Sequence, residues 1–456
     1  MIEEKKILLF VLLFGLLLYL PLPSRGESIT GPEMLLHLLG TGEGSEESGY
    51  LINDLTFNLD PAEDQPVFSG STNLGLEIEK DFGRSQSLFL NPELTFDYGS
   101  ETLEPELKLN EGYIDIYLEN ADIRVGKQKM TWGKADGLVI TNVVNPRDLR
   151  AYPMIDFYQE GFKSIYALKL DCYLGMDILE VVWMPEFEHV DERVFEAQLK
   201  GLIKSADIPE KTVRTLLQKL SNTDPQRPDS ELDDGPLGFD LEETEVAVNY
   251  SSMGADVDYE FVAGYLWDDY PTLNIQKTKV GPYLSLKYHR LAVAGGSFSR
   301  PWEDFVFRGE ALFTHGKRFN RDIFEYPRLA ESAVGKNKFE WMFGAEYGPD
   351  YLVDQINLQV NQEVILDYDD SIITDQYSTQ ATLTTQGMYM RNKLSLQASL
   401  RYDLNWNSLR SRIQLTYGQS GNIEYTAGLD YNLEEGEGPA AELAKNAVYV
   451  RANFFF

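Results

Sequence analysis

The chain has 456 residues, with 73 Asp and Glu against 40 Lys and Arg, which gives a formal net charge of −33. A chain this acidic repels phosphate backbones, so we expect no nucleic-acid partner. The single cysteine, Cys172, excludes a disulfide framework and a paired-cysteine metal or redox site. Yet Tyr and Phe, at 26 and 24 residues, are more abundant than an acidic soluble protein needs.

Residues 1–26 have the pattern of a secretory signal peptide. Lys5 and Lys6 precede an apolar run over residues 7–20, and small residues lead to an exit at Gly26. A retained single-pass anchor is the alternative, but the run is short for a bilayer span of roughly 20 residues. We therefore expect an exported protein that is cleaved after Gly26.

Beyond residue 50 the dominant hydrophobic period is two. In residues 353–364 and 394–404, apolar side chains alternate with polar or charged ones, as in strands with one apolar and one wet face. A soluble sandwich shows the same alternation. The strands are about ten residues long, however, which suits a tilted bilayer crossing, whereas soluble strands average about five or six. Aromatic residues near strand ends, Trp132 and Trp267 among them, are typical of membrane interfaces.

The final strand gives the sharpest signal of this class. Its alternate residues Val448, Val450, Ala452, Phe454 and Phe456 share one face, and the last of them is the carboxyl terminus. This resembles the terminal strand by which Gram-negative outer-membrane barrels are recognised for assembly; the alternative is an ordinary last strand of a periplasmic sandwich. We therefore predict an all-β, closed antiparallel transmembrane barrel in the cell outer membrane, in contact with its lipid and with the barrel-assembly machinery.

The spacing of turns predicts the strand count. Short turns and long connections alternate if residues 284–299 form one long strand and if another strand lies near residues 51–59. This arrangement predicts about 18 strands, with 16 as the fallback, and a barrel of either size is wide enough for an aqueous lumen.

The sequence divides into a barrel over residues 50–456, preceded by residues 27–49 as a periplasmic extension or a lumen plug. Within the barrel, residues 188–241 have apolar side chains at helical spacing, followed by an acidic stretch that contains proline. We expect a helical, acidic outer loop, which either folds into the lumen or packs over its mouth.

Charged and amide side chains occupy the strand face opposite the apolar one, and both signs are present. In a barrel this face borders the lumen. The predicted pore-lining residues are Asp115, Glu119, Arg124, Gln128, Arg308, Glu310, Arg401, Arg410, Arg412, Glu424 and Arg451.

One motif carries a family resemblance. Residues 123–133 are Ile-Arg-Val-Gly-Lys-Gln-Lys-Met-Thr-Trp-Gly, and residues 145–148 are Asn-Pro-Arg-Asp. They resemble a large, mostly uncharacterised family of porin-like Gram-negative outer-membrane barrels with a Val-Gly-x-Gln-x-x-x-Trp-Gly strand followed by Asn-Pro-x-Asp. Residues 288–296 and 307–311 also resemble middle strands of that family, whereas residues 188–241 match no pattern in it. The resemblance implies an outer-membrane channel or transporter for small organic solutes, hydrophobic ones among them.

The same motif has a physical interpretation. Gly126 leaves space beside the strand, Gln128 offers a donor and an acceptor to a loop, and Trp132 falls where the strand would leave the membrane. Asn and Asp in the second motif suggest a turn in which they bond their own backbone. We favour docking of the loop over residues 133–161 into the lumen above direct contact with solute. The predicted loop-docking residues are Gly126, Trp132, Asn145, Pro146 and Asp148.

The sequence gives little support for a catalytic function. The four histidines are scattered, and neither a metalloprotease spacing nor a nucleophile elbow is present. Acidic clusters in the predicted outer loops suggest solvated charge, with calcium binding as the alternative. We predict a pore or facilitated transporter rather than an enzyme, with no cofactor and no metal. The alternatives are a plugged barrel with an adhesive or envelope-structural role, and an exported soluble β-rich enzyme or glycan-binding protein.

Overall fold

The computed structural model describes residues 45–60, 67–98, 105–147, 161–188, 243–278, 281–322, 325–326, 331–349, 353–434 and 446–456. In these residues regular structure consists of strands, because the two-residue alternation seen in the sequence runs through them. The strands are β1 (Ser45–Asn58), β2 (Phe68–Asp81), β3 (Gln86–Asp97), β4 (Pro105–Tyr117), β5 (Ala121–Gln128), β6 (Ile165–Leu174), β7 (Asp177–Met184), β8 (Glu245–Met253), β9 (Asp258–Trp267), β10 (Thr272–Thr278), β11 (Gly281–Lys287), β12 (Arg290–Trp302), β13 (Phe305–Asn320), β14 (Ala333–Tyr347), β15 (Gln355–Ile365), β16 (Tyr377–Tyr389), β17 (Leu394–Asp403), β18 (Ser408–Ser420), β19 (Ile423–Glu434) and β20 (Ala447–Phe455).

Eighteen of these strands form one sheet that closes on itself. Each strand pairs antiparallel with its neighbours, and β1 pairs with β20 from Tyr50 opposite Phe455 to Asn58 opposite Ala447. The predicted closed antiparallel barrel of 18 strands is therefore confirmed. The strand expected near residues 51–59 is β1, which begins at Ser45 and so includes residues assigned to the extension.

Several sequence predictions lie outside the described residues. They are the signal peptide, residues 27–44 of the extension, and all but the first residue of the helical segment 188–241. In the part of the chain that the structure describes, no helix is long and apolar enough to cross a membrane.

The distribution of apolar and polar side chains over the two faces of the barrel is the reverse of that in a soluble protein. Large apolar side chains are exposed on the outside, including Phe261 at 58 % and Leu358 at 52 %. Polar and charged side chains such as Glu260, Gln359 and Arg401 are buried on the inside. This inversion is what an apolar bilayer outside and a polar interior require.

The barrel has two different ends. The short turns lie at one end, which we call the turn end, together with the start of β1 at Ser45 and the last residue, Phe456. The long connections lie at the other end, which we call the loop end. Aromatic rings pack on each other near the turn end, where Phe305 stacks on Tyr347 with centroids 5.0 Å apart. Such rings suit the level of lipid headgroups.

One sequence prediction about the strands is wrong. Residues 284–299 do not form a continuous strand, because β11 ends at Lys287 and belongs to a separate two-stranded sheet with β10. The wall resumes at Arg290, which pairs with Trp267 of β9. The backbone N–H of Asp268 donates to the carbonyl of His289 at 2.8 Å and holds the base of this outer hairpin. Because the hairpin lies outside the barrel sheet, the count of 18 is unaffected.

Candidate functional site: a loop inside the barrel

Residues 129–147, here called the inner loop, follow β5 and lie against the inside of the barrel. Their polar contacts reach Glu111 on β4, Glu260 on β9, Glu310 on β13 and Gln359 on β15. Among the described residues these contacts stop at β15. We therefore call β4–β9 and β12–β15 the loop-covered wall, and we call β16–β20 with β1–β3, which no described contact of the inner loop reaches, the loop-free wall.

Glu310 is the main anchor of the inner loop. Its Oε1 accepts hydrogen bonds from the backbone N–H groups of Lys134 at 2.7 Å and Ala135 at 2.9 Å. Its Oε2 accepts from the N–H groups of Ile140 and Thr141 and from the Thr141 hydroxyl, at 2.8–3.0 Å. The carboxylate is 4 % exposed. One buried negative charge thus satisfies backbone donors that irregular structure would otherwise leave unpaired.

Glu260 is the second anchor. Its Oε2 accepts from the Gly133 N–H at 2.8 Å, and its Oε1 forms an ion pair with Lys134 Nζ at 2.8 Å. Gly133 has φ +97°, a conformation that favours glycine, and a Cβ there would lie 2.6 Å from Glu310 Oε1. The glycine of the Trp-Gly pair therefore allows the backbone to turn between the two carboxylates.

Trp132 lies inside the barrel, which corrects its predicted place at the membrane interface. The indole is 4 % exposed and belongs to an apolar cluster with Met130 and Val144 of the inner loop. Its Nε1–H donates to Glu180 of β7. The wall residues of this cluster are Ile165, Ala167, Val182, Met184, Ala247, Val262, Leu266, Leu291, Val293 and Leu312. Burial of these side chains gives the inner loop a hydrophobic attachment beside the two polar anchors.

The Asn-Pro motif joins the two ends of the inner loop. Asn145 accepts from the Met130 N–H at 3.0 Å and donates to the Lys163 carbonyl at 2.8 Å, while the Pro146 carbonyl accepts from the Lys163 N–H. Asn145 thus bonds distant backbone rather than its own, in contrast to the expected turn. Asp148 lies outside the described residues.

Gln128 and Gly126 secure the strand rather than the inner loop. The Gln128 amide is fully buried and donates to the Ala167 carbonyl of β6 at 3.0 Å. Gly126 has φ +140°, and a Cβ at this position would lie 2.3 Å from the Gly112 carbonyl oxygen. This close approach requires glycine.

The far edge of the inner loop ends in a charged group that we call the acidic corner: Asp136, Arg308 and Glu346. Arg308 Nη1 lies 2.6 Å from an Asp136 oxygen and 2.5 Å from a Glu346 oxygen. Asn357 donates to Asp136 at 3.2 Å, and Gln359 donates to the Leu138 carbonyl at 2.9 Å. Burial, with a hydrogen bond to Glu346 and despite the opposing charge of Arg308, raises the pKa of Asp136 to about 6.

The remaining predicted pore-lining residues lie apart from the inner loop, and all but one of them lie on the inner face of a strand. Arg124 pairs with Asp115 at 2.6 Å on β4 and β5, while Glu119 lies exposed in the turn after β4 instead of on a strand face. On the loop-free wall, Arg401 and Arg410 face each other across β17 and β18. Other inner-face residues there are Arg412, paired with Asp430 at 2.6 Å, Arg451, paired with Asp54 at 2.8 Å, and Glu424, half-buried near the turn end of β19.

Sequence reasoning missed several residues that hold the inner loop. Glu260 was recognisable as an inner-face charge but had no assigned role, and Asn357 and Gln359 were visible only as the polar face of a strand. Asp136 carried no signal, since its partner Arg308 is far away in sequence. Among the described residues, no group of three or more His, Cys, Asp or Glu side chains is arranged to bind a metal ion.

Comparison with known proteins gives a fold but no family. No protein-family model matches the sequence, and no curated protein is significantly similar to it. Among solved structures, the chain is similar to OccAB3 of Acinetobacter baumannii, with TM-score 0.51 and 9 % identity, over 90 % of this chain and 99 % of that one. It is also similar to OccK8 (OprE) and OprD of Pseudomonas aeruginosa, each with TM-score 0.50 and 8 % identity over 90 % of this chain, and over 98 % and 95 % of theirs. These three are outer-membrane porins, so this chain has the fold of a porin-type barrel.

Proposed function

We propose that the protein is a passive outer-membrane pore for small organic solutes. The observation that carries this proposal is a closed barrel of 18 strands whose inner loop, among the described residues, makes its polar contacts with one side only. Barrels of 16–18 strands enclose an aqueous channel. The inner loop narrows such a channel from one wall, and the porin-type fold supports the same role.

Among small organic solutes, we propose that polar ones are preferred. The apolar part of the inner wall, such as Val182 and Leu312, is buried beneath Trp132 and its neighbours in the inner loop. The inner face of the loop-free wall instead carries hydroxyl, amide and charged side chains, among them Thr382 and Arg410. A wall of this kind favours solutes that form hydrogen bonds, in contrast to the hydrophobic solutes that the family resemblance implies. Membership of that family is itself part of this proposal.

Single-channel recording tests the pore. We expect purified protein in a planar lipid bilayer to produce discrete current steps in KCl, and Glu310→Gln, which weakens the main anchor, to enlarge them. Absence of steps from folded, heat-modifiable protein in all voltages and salts would contradict the pore and favour the plugged barrel with an adhesive or structural role.

Liposome swelling tests the solute preference. We expect vesicles that contain the protein to admit a neutral polar solute, such as a pentose, faster than an apolar solute of equal size, after subtraction of protein-free vesicles. The reverse order would favour hydrophobic solutes and contradict the preference for polar ones.

A further inference from the structure

The barrel closes at the pairing of β20 with β1, which we call the closing seam. The seam lies within the loop-free wall, because β16–β19 separate it from β15, and β2 and β3 separate it from β4. On the inner face, where Asp54 and Arg451 form their ion pair, β1 carries Tyr50 and β20 carries Tyr449. Each tyrosine lies directly opposite a glycine of the next strand away from the seam. A tyrosine and a glycine therefore flank the closing seam on both sides.

The first pair is Tyr50 of β1 with Gly75 of β2. Their row continues to Glu93 of β3, which lies directly opposite Gly75. The Tyr50 hydroxyl donates to Glu93 Oε2 at 2.8 Å, although β1 and β3 are about 10 Å apart. The side chain spans this distance by crossing Gly75, where a Cβ would overlap the phenol ring. The ring of Tyr50 therefore lies flat along the wall.

The second pair, Tyr449 of β20 with Gly428 of β19, repeats this arrangement in the opposite direction. Gln414 of β18 lies directly opposite Gly428, and its Oε1 accepts a hydrogen bond from the Tyr449 hydroxyl at 2.7 Å. A Cβ on Gly428 would again overlap the phenol ring. The guanidinium of Arg412 lies 5.6 Å from the ring centroid, and Tyr449 is 2 % exposed. This ring is thus held against the wall and covered.

The flat position of both rings depends on the glycines. Side chains in strands generally stand perpendicular to the sheet, and on the inner face of a barrel that direction points into the lumen. Neither Gly75 nor Gly428 has a φ in the left-handed region, so the backbone itself does not require glycine at these positions. What each glycine supplies is the space that the neighbouring ring occupies.

We propose that these two tyrosine–glycine pairs set the bore of the pore on the loop-free wall, as the inner loop sets it on the loop-covered wall. The proposal rests on the proposed pore function and names residues that determine the size of solute that passes. While both rings lie flat, the lumen beside the closing seam is free of them. A ring that is displaced from its glycine stands in the lumen and narrows it.

Gly75→Val and Gly428→Val test the proposal. Valine suits a strand, and its side chain takes the space of the ring. In folded, heat-modifiable protein we expect each variant to give smaller current steps in KCl. Liposomes should show a greater loss of entry for a disaccharide than for a pentose. Steps of unchanged size in both variants would overturn the proposal while leaving the pore intact.

A double variant separates displacement of the ring from distortion of the strand. In Gly75→Val with Tyr50→Ala, the ring that valine would displace is absent, so we expect current steps at least as large as those of the unmodified protein. Steps as small as those of Gly75→Val alone would assign the loss to distortion of β2 and overturn the proposal. Gly75→Ala creates the same overlap with a smaller side chain and replaces Gly75→Val if valine prevents folding.

Gly309→Val is the matched control on the outer face. Phe298 of β12 lies directly opposite Gly309 of β13, and a Cβ on this glycine would overlap the Phe298 ring. Phe298 is 37 % exposed on the side that faces lipid. Valine at this position displaces a ring toward the bilayer, so the current steps should not change. A reduction equal to that in Gly75→Val would overturn the proposal.

Nitration of tyrosine by tetranitromethane tests the position of the ring without any need for current steps. We expect slow nitration of the covered Tyr449 in folded protein in detergent and faster nitration in Gly428→Val, as measured by mass spectrometry of the peptide that contains it. Faster nitration would support the seated ring even if the unmodified protein gave no steps, a result that contradicts the pore alone. Equal rates in the two proteins would overturn the proposal.

Discussion

The two sides of the lumen are built from the same alternating strands but differ in what covers them. On the loop-covered wall, apolar side chains such as Val182 pack under Trp132, and two carboxylates hold the backbone of the inner loop. On the loop-free wall, inner charges pair between neighbouring strands, as in Arg412 with Asp430. The comparison teaches that the inner face of a barrel strand becomes a protein core where the inner loop packs on it, and carries paired charges where, among the described residues, the inner loop makes no contact.

The largest effect is expected from loss of the main anchor. Glu310→Gln removes the charge and turns one acceptor into a donor that faces the N–H groups of the inner loop. Leaving two buried donors unpaired costs on the order of 3 kcal/mol or more, so we expect the inner loop to detach. Single-channel recording should then show a larger and noisier conductance.

Glu119→Gln is the matched control for this variant. Glu119 lies exposed in a turn, so its loss should leave the conductance unchanged, although the sequence suggested a place on the pore wall. A similar increase in both variants would show that the anchor is not the cause.

The second effect concerns the apolar attachment. Trp132→Ala leaves a cavity beneath the inner loop, and truncation of a buried tryptophan costs about 3–5 kcal/mol. We expect a lower midpoint of the heat-induced mobility shift on gels and more rapid proteolysis within the inner loop. Trp302→Ala truncates an indole that is 59 % exposed on the outer face and should not expose the inner loop. Equal proteolysis in the two variants would contradict the interpretation that burial of Trp132 attaches the inner loop.

The third prediction concerns pH, which changes the charge of Asp136 without detaching the inner loop. The raised pKa of Asp136, about 6, means that the attached inner loop holds this proton more tightly than a detached one, in which an Asp titrates near 3.9. This contribution to attachment is therefore fully present below about pH 3.9 and is lost as the pH rises through 6.

Acidification from pH 7.5 to 5 should accordingly reduce cation selectivity without enlarging the conductance. The reversal potential in a KCl gradient measures this change. Asp136→Asn should shift selectivity in the same direction at pH 7.5 and abolish the part of the pH response between 5 and 7. A variant that kept the full response would assign it to another group.

The smallest effect is expected on the loop-free wall. Arg451→Gln breaks a partly exposed ion pair with Asp54, so we expect a loss of stability of about 1 kcal/mol or less. Ion selectivity should shift toward cations because the lumen loses a positive charge. A change in gel-shift midpoint as large as that of Trp132→Ala would contradict the contrast between the two walls.

The barrel could be predicted from the sequence because the patterns that indicate it are local. Alternation along each strand, short turns between strands and the terminal strand at Phe456 are each visible within a few residues, and they led to the correct number of strands. The failure at residues 284–299 has the same origin, since alternation cannot distinguish a wall strand from β11, which pairs only with β10.

The inner loop was only partly predictable because its partners are distant in sequence. The motif from Gly126 to Trp132 suggested docking, but nothing in it indicated that Glu310 would accept the donors of Thr141 or that Gln359 would bind Leu138. The sequence predicts Trp132 at the membrane interface because an aromatic residue after a strand suits that environment as well as a protein core. Only the closed sheet decides between these two environments.

The attachment of the inner loop has a consequence for folding. Thr141 and Glu310 are 169 residues apart, and Leu138 and Gln359 are 221 apart, so neither contact can form before β13 and β15 exist. Contacts this distant in sequence form late, after the loss of chain entropy that closing so long a segment requires. A sheet that lacks β13 and β15 therefore cannot hold the inner loop in place, so the bore of the lumen is set among the last steps of folding.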